Sequence, residues 1–189
     1  KKIQRFHAFL DQLEGSKAAP GILVTIGTGN RHFSLGFDLK HWAKDFETNM
    51  LGSGLFFQKL IARLLTFPMP TVCCMNGNAF SLGCMLALAH DVRIMTTAVK
   101  GAGMTFKELQ LGITLPVPYV AFATAKLGPT SASLLCYAYL FQAEEALREG
   151  LIKATYTDLA DCEKQVKILA KRLSKVGRNR VQCRDVKEG

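Results

Sequence analysis

Apolar residues recur every three or four positions at the start of the chain, at Ile3, Phe6, Leu10 and Leu13, a spacing that predicts an amphipathic helix. The pattern breaks over residues 15–21 and resumes as an unbroken apolar run at 22–26 (ILVTI), which predicts a buried strand. Gly27-Thr28-Gly29-Asn30 turns the chain out of that strand. Residues 32–40 (HFSLGFDLK) then lead to a second helix with Phe57, Leu60, Ile61, Leu64 and Leu65 on one face, ended by Pro68 and Pro70. Residues 71–75 (TVCCM) predict a second strand and Asn76-Gly77 a turn. Residues 81–90 predict a helix that is apolar almost all round and therefore buried, and residues 92–95 a third strand.

Strands and helices alternating through short connectors imply an α/β fold with a parallel sheet. Beyond a glycine-punctuated loop lies the segment 104–113. Pro116 and Pro118 open a helical stretch and Gly128-Pro129 another, after which the chain reads as helical. Leu159, Cys162, Val166, Leu169 and Leu173 predict an amphipathic helix over 158–174 with a basic outer face, and residues 177–189 read as a polar tail.

Composition narrows this picture. With 189 residues, 49% hydrophobic and 21% charged, the chain suits a globular domain and excludes disordered and fibrous classes. Its longest apolar runs, such as 82–89, are far shorter than the roughly 20 residues that span a bilayer, so no membrane span is expected. The six cysteines show no C-x-x-C spacing and sit mostly among apolar neighbours, which points to buried thiols in a reducing compartment. His7, His32, His41 and His90 form no paired-ligand spacing, so no metal site is expected. The chain opens on Lys1 without an apolar signal segment, which leaves room for a leader removed by processing or truncation. A net charge of +9 favours an anionic partner: nucleic acid, a membrane surface or a phosphate-bearing small molecule.

Between residues 50 and 143 the only carboxylates are Asp91 and Glu108. Glu108 lies among Met104, Phe106, Leu109, Leu111 and Ile113. It is either a desolvated carboxylate with a pKa raised toward that of a general base, or a loop-edge residue facing water. Lys107 beside it either pairs with it or points away. Asp91 precedes a strand and reads as a turn or capping residue. Ala79-Phe80-Ser81-Leu82-Gly83 departs from the G-x-S-x-G nucleophile elbow only at its first position, but no histidine follows His90 to activate Ser81, so serine hydrolysis is not expected and Ser81 reads as a small helix-start residue. Gly27-x-Gly29 fails the dinucleotide fingerprint because its third glycine position holds His32. Two glycine-bearing segments, 34–38 (SLGFD) and 80–84 (FSLGC), each follow a predicted strand and can each present a backbone N–H, the composition of an oxyanion hole.

These segments in this order resemble the crotonase, or enoyl-CoA hydratase/isomerase, superfamily. The resemblance is carried by residues 33–40 (FSLGFDLK), 67–72 (FPMPTV), 76–83 (NGNAFSLG), 86–91 (LALAHD), 108–113 (ELQLGI) and 143–152 (AEEALREGLI), and it covers about residues 22–173. Within the superfamily the chain is most similar to Δ3,Δ2-enoyl-CoA isomerases of the plant peroxisomal type. The resemblance implies an α/β fold with a crotonase-like (ClpP/crotonase) β-β-α spiral core, followed by C-terminal helices. Residues 1–157 would form the core, lacking the family's first strands, and residues 158–189 the C-terminal amphipathic helix and polar tail. It implies acyl-CoA as substrate with no cofactor, Glu108 as the catalytic base, and the N–H groups of Phe37 and Leu82 as the oxyanion hole. Ser34, Gly36, Asp38, Lys40 and Gly83 complete the implied acyl-CoA contacts, with Lys40 near the CoA nucleotide. Family hydratases carry two glutamates; here one of those positions is Met85 and the other Glu108, which favours isomerisation. The resemblance further implies a homotrimer or hexamer.

The alternative is a catalytically degenerate subunit of a larger mitochondrial complex, suggested by a chain that looks short at both ends beside the family. RNA binding ranks last, because the basic C-terminal stretch lacks interleaved aromatics. Without a Ser-Lys-Leu ending, the expected compartment is the mitochondrial matrix, with the peroxisome as the alternative.

Overall fold

The computed structural model describes residues 2–16, 21–42 and 45–188; most of the loop expected at 15–21 lies outside them. The predicted first helix is α1 (Lys2–Gly15), and the apolar run becomes β1 (Leu23–Ile26). A strand too short and polar to be read from sequence, β2 (His32–Ser34), follows, then α2 (Leu39–Trp42) and α3 (Phe46–Leu65). The next round repeats that order: β3 (Thr71–Met75), β4 (Asn78–Phe80) and α4 (Leu82–Leu88). A third supplies β5 (Val92–Thr96), β6 (Gly103–Thr105) and α5 (Val117–Leu127), with a 3-10 turn at Leu109–Leu111 before the helix. The chain closes with α6 (Pro129–Cys136), β7 (Phe141–Gln142), α7 (Ala143–Arg148), β8 (Ala154–Tyr156), α8 (Leu159–Leu173) and α9 (Arg180–Glu188).

Each β-β-α round gives one strand to each of two four-stranded sheets, ordered β1-β3-β5-β8 and β2-β4-β6-β7. The first sheet runs parallel from β3 through β8, with Val72 opposite Val92 and Ile94 opposite Ala154. The second is parallel except at its last pair, where β7 runs antiparallel to β6. This is the crotonase-like α/β architecture, two sheets instead of the one parallel sheet that the alternation of strands and helices suggested. β3 is buried at every position, which explains its continuous apolar run, because a strand covered on both faces has no polar side to show.

Two compact units divide the chain. One comprises residues 1–23, 37–70 and 170–189, the other residues 24–36 and 71–169. In the first, Leu10, Phe57, Leu60, Ile61 and Leu64 are buried, and Arg63 on α3 binds the carboxylates of Asp11 and Glu14 at 2.6 and 3.3 Å and the His7 carbonyl at 3.0 Å. The C-terminal segment expected to be a polar tail is instead the helix α9. It is ordered by contacts that a helical pattern cannot reveal. Arg180 donates to the carbonyls of Leu13 and Ser16 at 3.1 and 3.0 Å, at and just beyond the C-terminal end of α1, Cys183 is buried, and Lys187 donates to the Met69 carbonyl at 3.0 Å. No helix among the described residues is long and apolar enough to cross a membrane.

Candidate active site

The second unit holds the glycine-bearing segments and Glu108. Its scaffold is set by backbone polar groups. Asp91 accepts the Thr71 N–H at 2.7 Å and the Thr71 hydroxyl at 3.0 Å, tying the starts of β3 and β5 together in the capping role expected of it. His90 is fully buried, donating through Nδ1 to the Leu86 carbonyl at 2.8 Å, while Nε2 and the Thr25 hydroxyl share a hydrogen bond of 2.8 Å. Both residues hold secondary structure in register. Asn76 bonds the Gly27 N–H at 3.0 Å and its carbonyl at 3.1 Å, locking the turn after β1.

Two glycines bring the first glycine-bearing segment onto the start of α4. Gly83 packs so closely on the Ser34 carbonyl that a Cβ there would lie 2.6 Å from the Ser34 carbonyl carbon. Gly36, at φ +91°, lies over Leu82, and a Cβ on it would come within 3.3 Å of the Leu82 nitrogen. The Ser34 hydroxyl accepts the Gly36 N–H at 3.3 Å. Ser34, Gly36 and Gly83 therefore build the wall around the Leu82 N–H, which as the first N–H of α4 has no acceptor within the helix. Phe37, Asp38 and Lys40 belong to the first unit. There the Phe37 ring meets Phe57 edge-on at 5.7 Å, and Asp38 accepts the Lys40 N–H at 3.1 Å at the start of α2.

Glu108 immediately precedes the 3-10 turn, and its carbonyl accepts the N–H groups of Leu111 and Ile113 at 3.0 and 2.9 Å. Its backbone is thus fixed while the carboxyl points inward. Oε2 is buried with no hydrogen-bond partner. Burial raises the carboxyl's pKa, opposed by its own N–H, the Ser81 hydroxyl and the Lys107 N–H. The desolvated alternative from the sequence is the one adopted. Lys107 points away: its ammonium donates to Gln110 at 3.1 Å and sits 5.1 Å from the centre of the Phe80 ring. Met85 is fully buried on α4. Cys84 on α4 and Cys136 on α6 lie close enough that the Glu108 charge, added to their burial, pushes both thiols up.

Ser81, read from sequence as a small helix-start residue, is more constrained than that. It links β4 to α4 at φ 52°, ψ −121°, a region that disfavours side chains and costs about 1–3 kcal/mol. The departure from a nucleophile elbow by one glycine was the signal available in the sequence. Among the described residues no group of three His, Cys, Asp or Glu side chains is arranged to hold a metal ion.

The sequence matches the enoyl-CoA hydratase/isomerase family over residues 1–186. The chain belongs to this family. Among family relatives, enoyl-CoA delta isomerase 2, peroxisomal, of Arabidopsis thaliana is 33% identical over 160 residues, which cover 80% of this chain and 65% of the relative. Enoyl-CoA delta isomerase 3 of the same plant is 31% identical over 166 residues, covering 82% and 66%. The chain thus spans slightly less than two thirds of these relatives' length. The crystal structure of an enoyl-CoA hydratase from Bacillus anthracis superposes with a TM-score of 0.83 at 23% identity, covering 98% of this chain and 70% of that one, which establishes the shared fold.

Proposed function

We propose that this family member is a Δ3,Δ2-enoyl-CoA isomerase acting in fatty-acid β-oxidation. The observation that carries the reading is Glu108, a carboxylate held inward with one buried, unpartnered oxygen, together with a buried Met85 at the position where family hydratases carry a second glutamate. In a 3-enoyl thioester the C2 protons are acidified by the carbonyl and by the adjacent double bond. Glu108 removes one, charge passes to the thioester oxygen, and the same carboxylic acid returns the proton to C4, leaving the double bond at C2–C3. One base suffices, because the proton that leaves is the one that returns. Hydration must also position and deprotonate a water, for which a methionine is useless.

The dienolate oxygen takes a hydrogen bond from the Leu82 N–H at the start of α4, and the family resemblance assigns the same role to the Phe37 N–H; one such donor is typically worth roughly 3–4 kcal/mol of barrier. Lys40 and Asp38 serve the CoA moiety, and Ser34, Gly36 and Gly83 shape the oxyanion hole. No cofactor takes part. Two plant relatives carry the word peroxisomal in their names, which favours the peroxisome over the mitochondrial matrix. A homotrimer or hexamer is the assembly proposed. Purified protein given a 3-enoyl-CoA is expected to yield the conjugated 2-enoyl product, followed by its ultraviolet absorbance. Glu108→Gln should lower kcat by about 10²–10⁴-fold. No product from the folded wild-type protein, or undiminished turnover in the variant, would sink the assignment, the former favouring a catalytically silent subunit.

A further inference from the structure

His32 and Asn78, both in the second unit, carry the inference furthest. The Asn78 side chain has one partner on each neighbouring strand: its Oδ1 accepts the Gly103 N–H at 3.1 Å, and its Nδ2 lies 3.2 Å from Nδ1 of His32. The Gly103 bond fixes which end of the amide faces the ring. An amide nitrogen only donates, so Nδ1 of His32 supplies a lone pair and the imidazole proton sits on Nε2. Asn78 on β4 thereby ties β2 on one side to β6 on the other. The main chains meet at the same level. The Asn78 N–H donates to the Arg31 carbonyl at 3.2 Å, and a Cβ on Gly77 would lie 2.8 Å from the His32 nitrogen.

Immediately beyond this tie the register shifts. His32 pairs with Asn78 but Ser34 with Ala79, so two steps along β2 match one along β4, a bulge that is rare between parallel strands. A bulge interrupts the ladder, and here it does so just before Ser34, whose backbone packs on Gly83 in the wall around the Leu82 N–H. We propose that His32 is a positioning residue for the oxyanion hole: its ring, protonated at Nε2 and accepting the Asn78 amide at Nδ1, fixes the register of β2 ahead of the bulge and so sets where Ser34 and Gly36 stand against the start of α4. Its catalytic consequence rests on the isomerase reading; the hydrogen bond and the register do not.

The tautomer is read by nuclear magnetic resonance of protein labelled with 15N-histidine, with His32→Phe identifying the signal. Under alkaline conditions wild type should show a bare Nδ1 and a protonated Nε2. Asn78→Asp still accepts the Gly103 N–H but presents a second acceptor to the ring, so the proton should move to Nδ1. His32→Phe keeps a ring and loses the acceptor, whereas His32→Asn returns one, Oδ1, near the place of Nδ1. For 3-enoyl-CoA isomerisation the first should lower kcat about fivefold to tenfold with KM little changed, because a displaced wall is felt where the thioester oxygen carries charge, and the second should recover most of the loss. Amide hydrogen exchange over residues 33–36 should quicken in His32→Phe, but not in β3, which belongs to the other sheet. A protonated Nδ1 in wild type, unchanged exchange over 33–36 in folded His32→Phe, an unchanged kcat, or an equal loss in His32→Asn overturns the proposal. Isomerisation lacking in wild type defeats the isomerase reading alone, because tautomer and exchange still report whether His32 holds β2 in place.

Discussion

At Glu108 burial lifts the carboxyl's pKa above its ordinary value of 4.5, against the opposing hydrogen bonds of its own N–H, Ser81 and Lys107. The unfolded chain gives up this proton at lower pH than the folded one. Stability therefore falls as pH rises from about the ordinary value through the raised native value, and the penalty is complete above it. A carboxylate buried in this way destabilises the fold that holds it, and its unpartnered Oε2 adds to that cost. Glu108→Gln keeps shape without charge, so the variant should melt at higher temperature than wild type at pH 7. Calorimetry across pH should show the gain fading as pH falls below 4.5. A variant no more stable than wild type at neutral pH would mean the carboxylate is better solvated than its surroundings indicate. At this scale the sequence was partly legible. Glu108 stood out because carboxylates are scarce between residues 50 and 143, whereas the constraint on Ser81 lies in a backbone angle and in a neighbour 26 positions away, neither of which leaves a local trace.

Among the elements, those that bury a continuous face were legible and those that exist only through a partner were not. The runs that became β1, β3 and β5, and the periodic faces of α1, α3 and α8, carry their own hydrophobic signatures. β2, β4 and β6 are three residues each and are defined by pairing, His32 opposite Asn78 and Ala79 opposite Met104, so they read as loop and turn until the fold brings them together. The glycine segments were visible as composition, but the reason for Gly83 is the Ser34 backbone lying against its Cα. That contact brings β2 and α4 to one point, so Gly83→Ala must push them apart where the oxyanion hole is proposed. The expected loss is about 3 kcal/mol of stability by denaturant unfolding. Gly29→Ala is the control, since its Cβ would meet nothing nearer than 3.8 Å and should be nearly neutral. Equal effects at the two positions would show that the close approach is not maintained in solution.

For the molecule as a whole, the charge of +9 identifies the sign of a partner without its chemistry. The acyl-CoA substrate proposed above would turn that sign toward the phosphates of a CoA thioester, and the same charge also suits RNA, so the two ligands are best compared on one sample. A saturated thioester such as octanoyl-CoA binds without reacting, which separates recognition from turnover. Bound to the folded state only, and present at 100 times its Kd, it stabilises by about 2.7 kcal/mol. For a chain of this length that corresponds to a rise in Tm of roughly 5–10 °C. If the phosphates engage the basic surface, the shift shrinks as salt is raised, and octanoyl-pantetheine, which lacks the nucleotide phosphates, gives a smaller one. Glu108→Gln should shift as far as wild type, because the proposed base acts on the acyl chain and not on the nucleotide. No shift with octanoyl-CoA, together with salt-dependent retention of RNA on a filter, would transfer the charge to nucleic acid and remove the acyl-CoA reading at its first step.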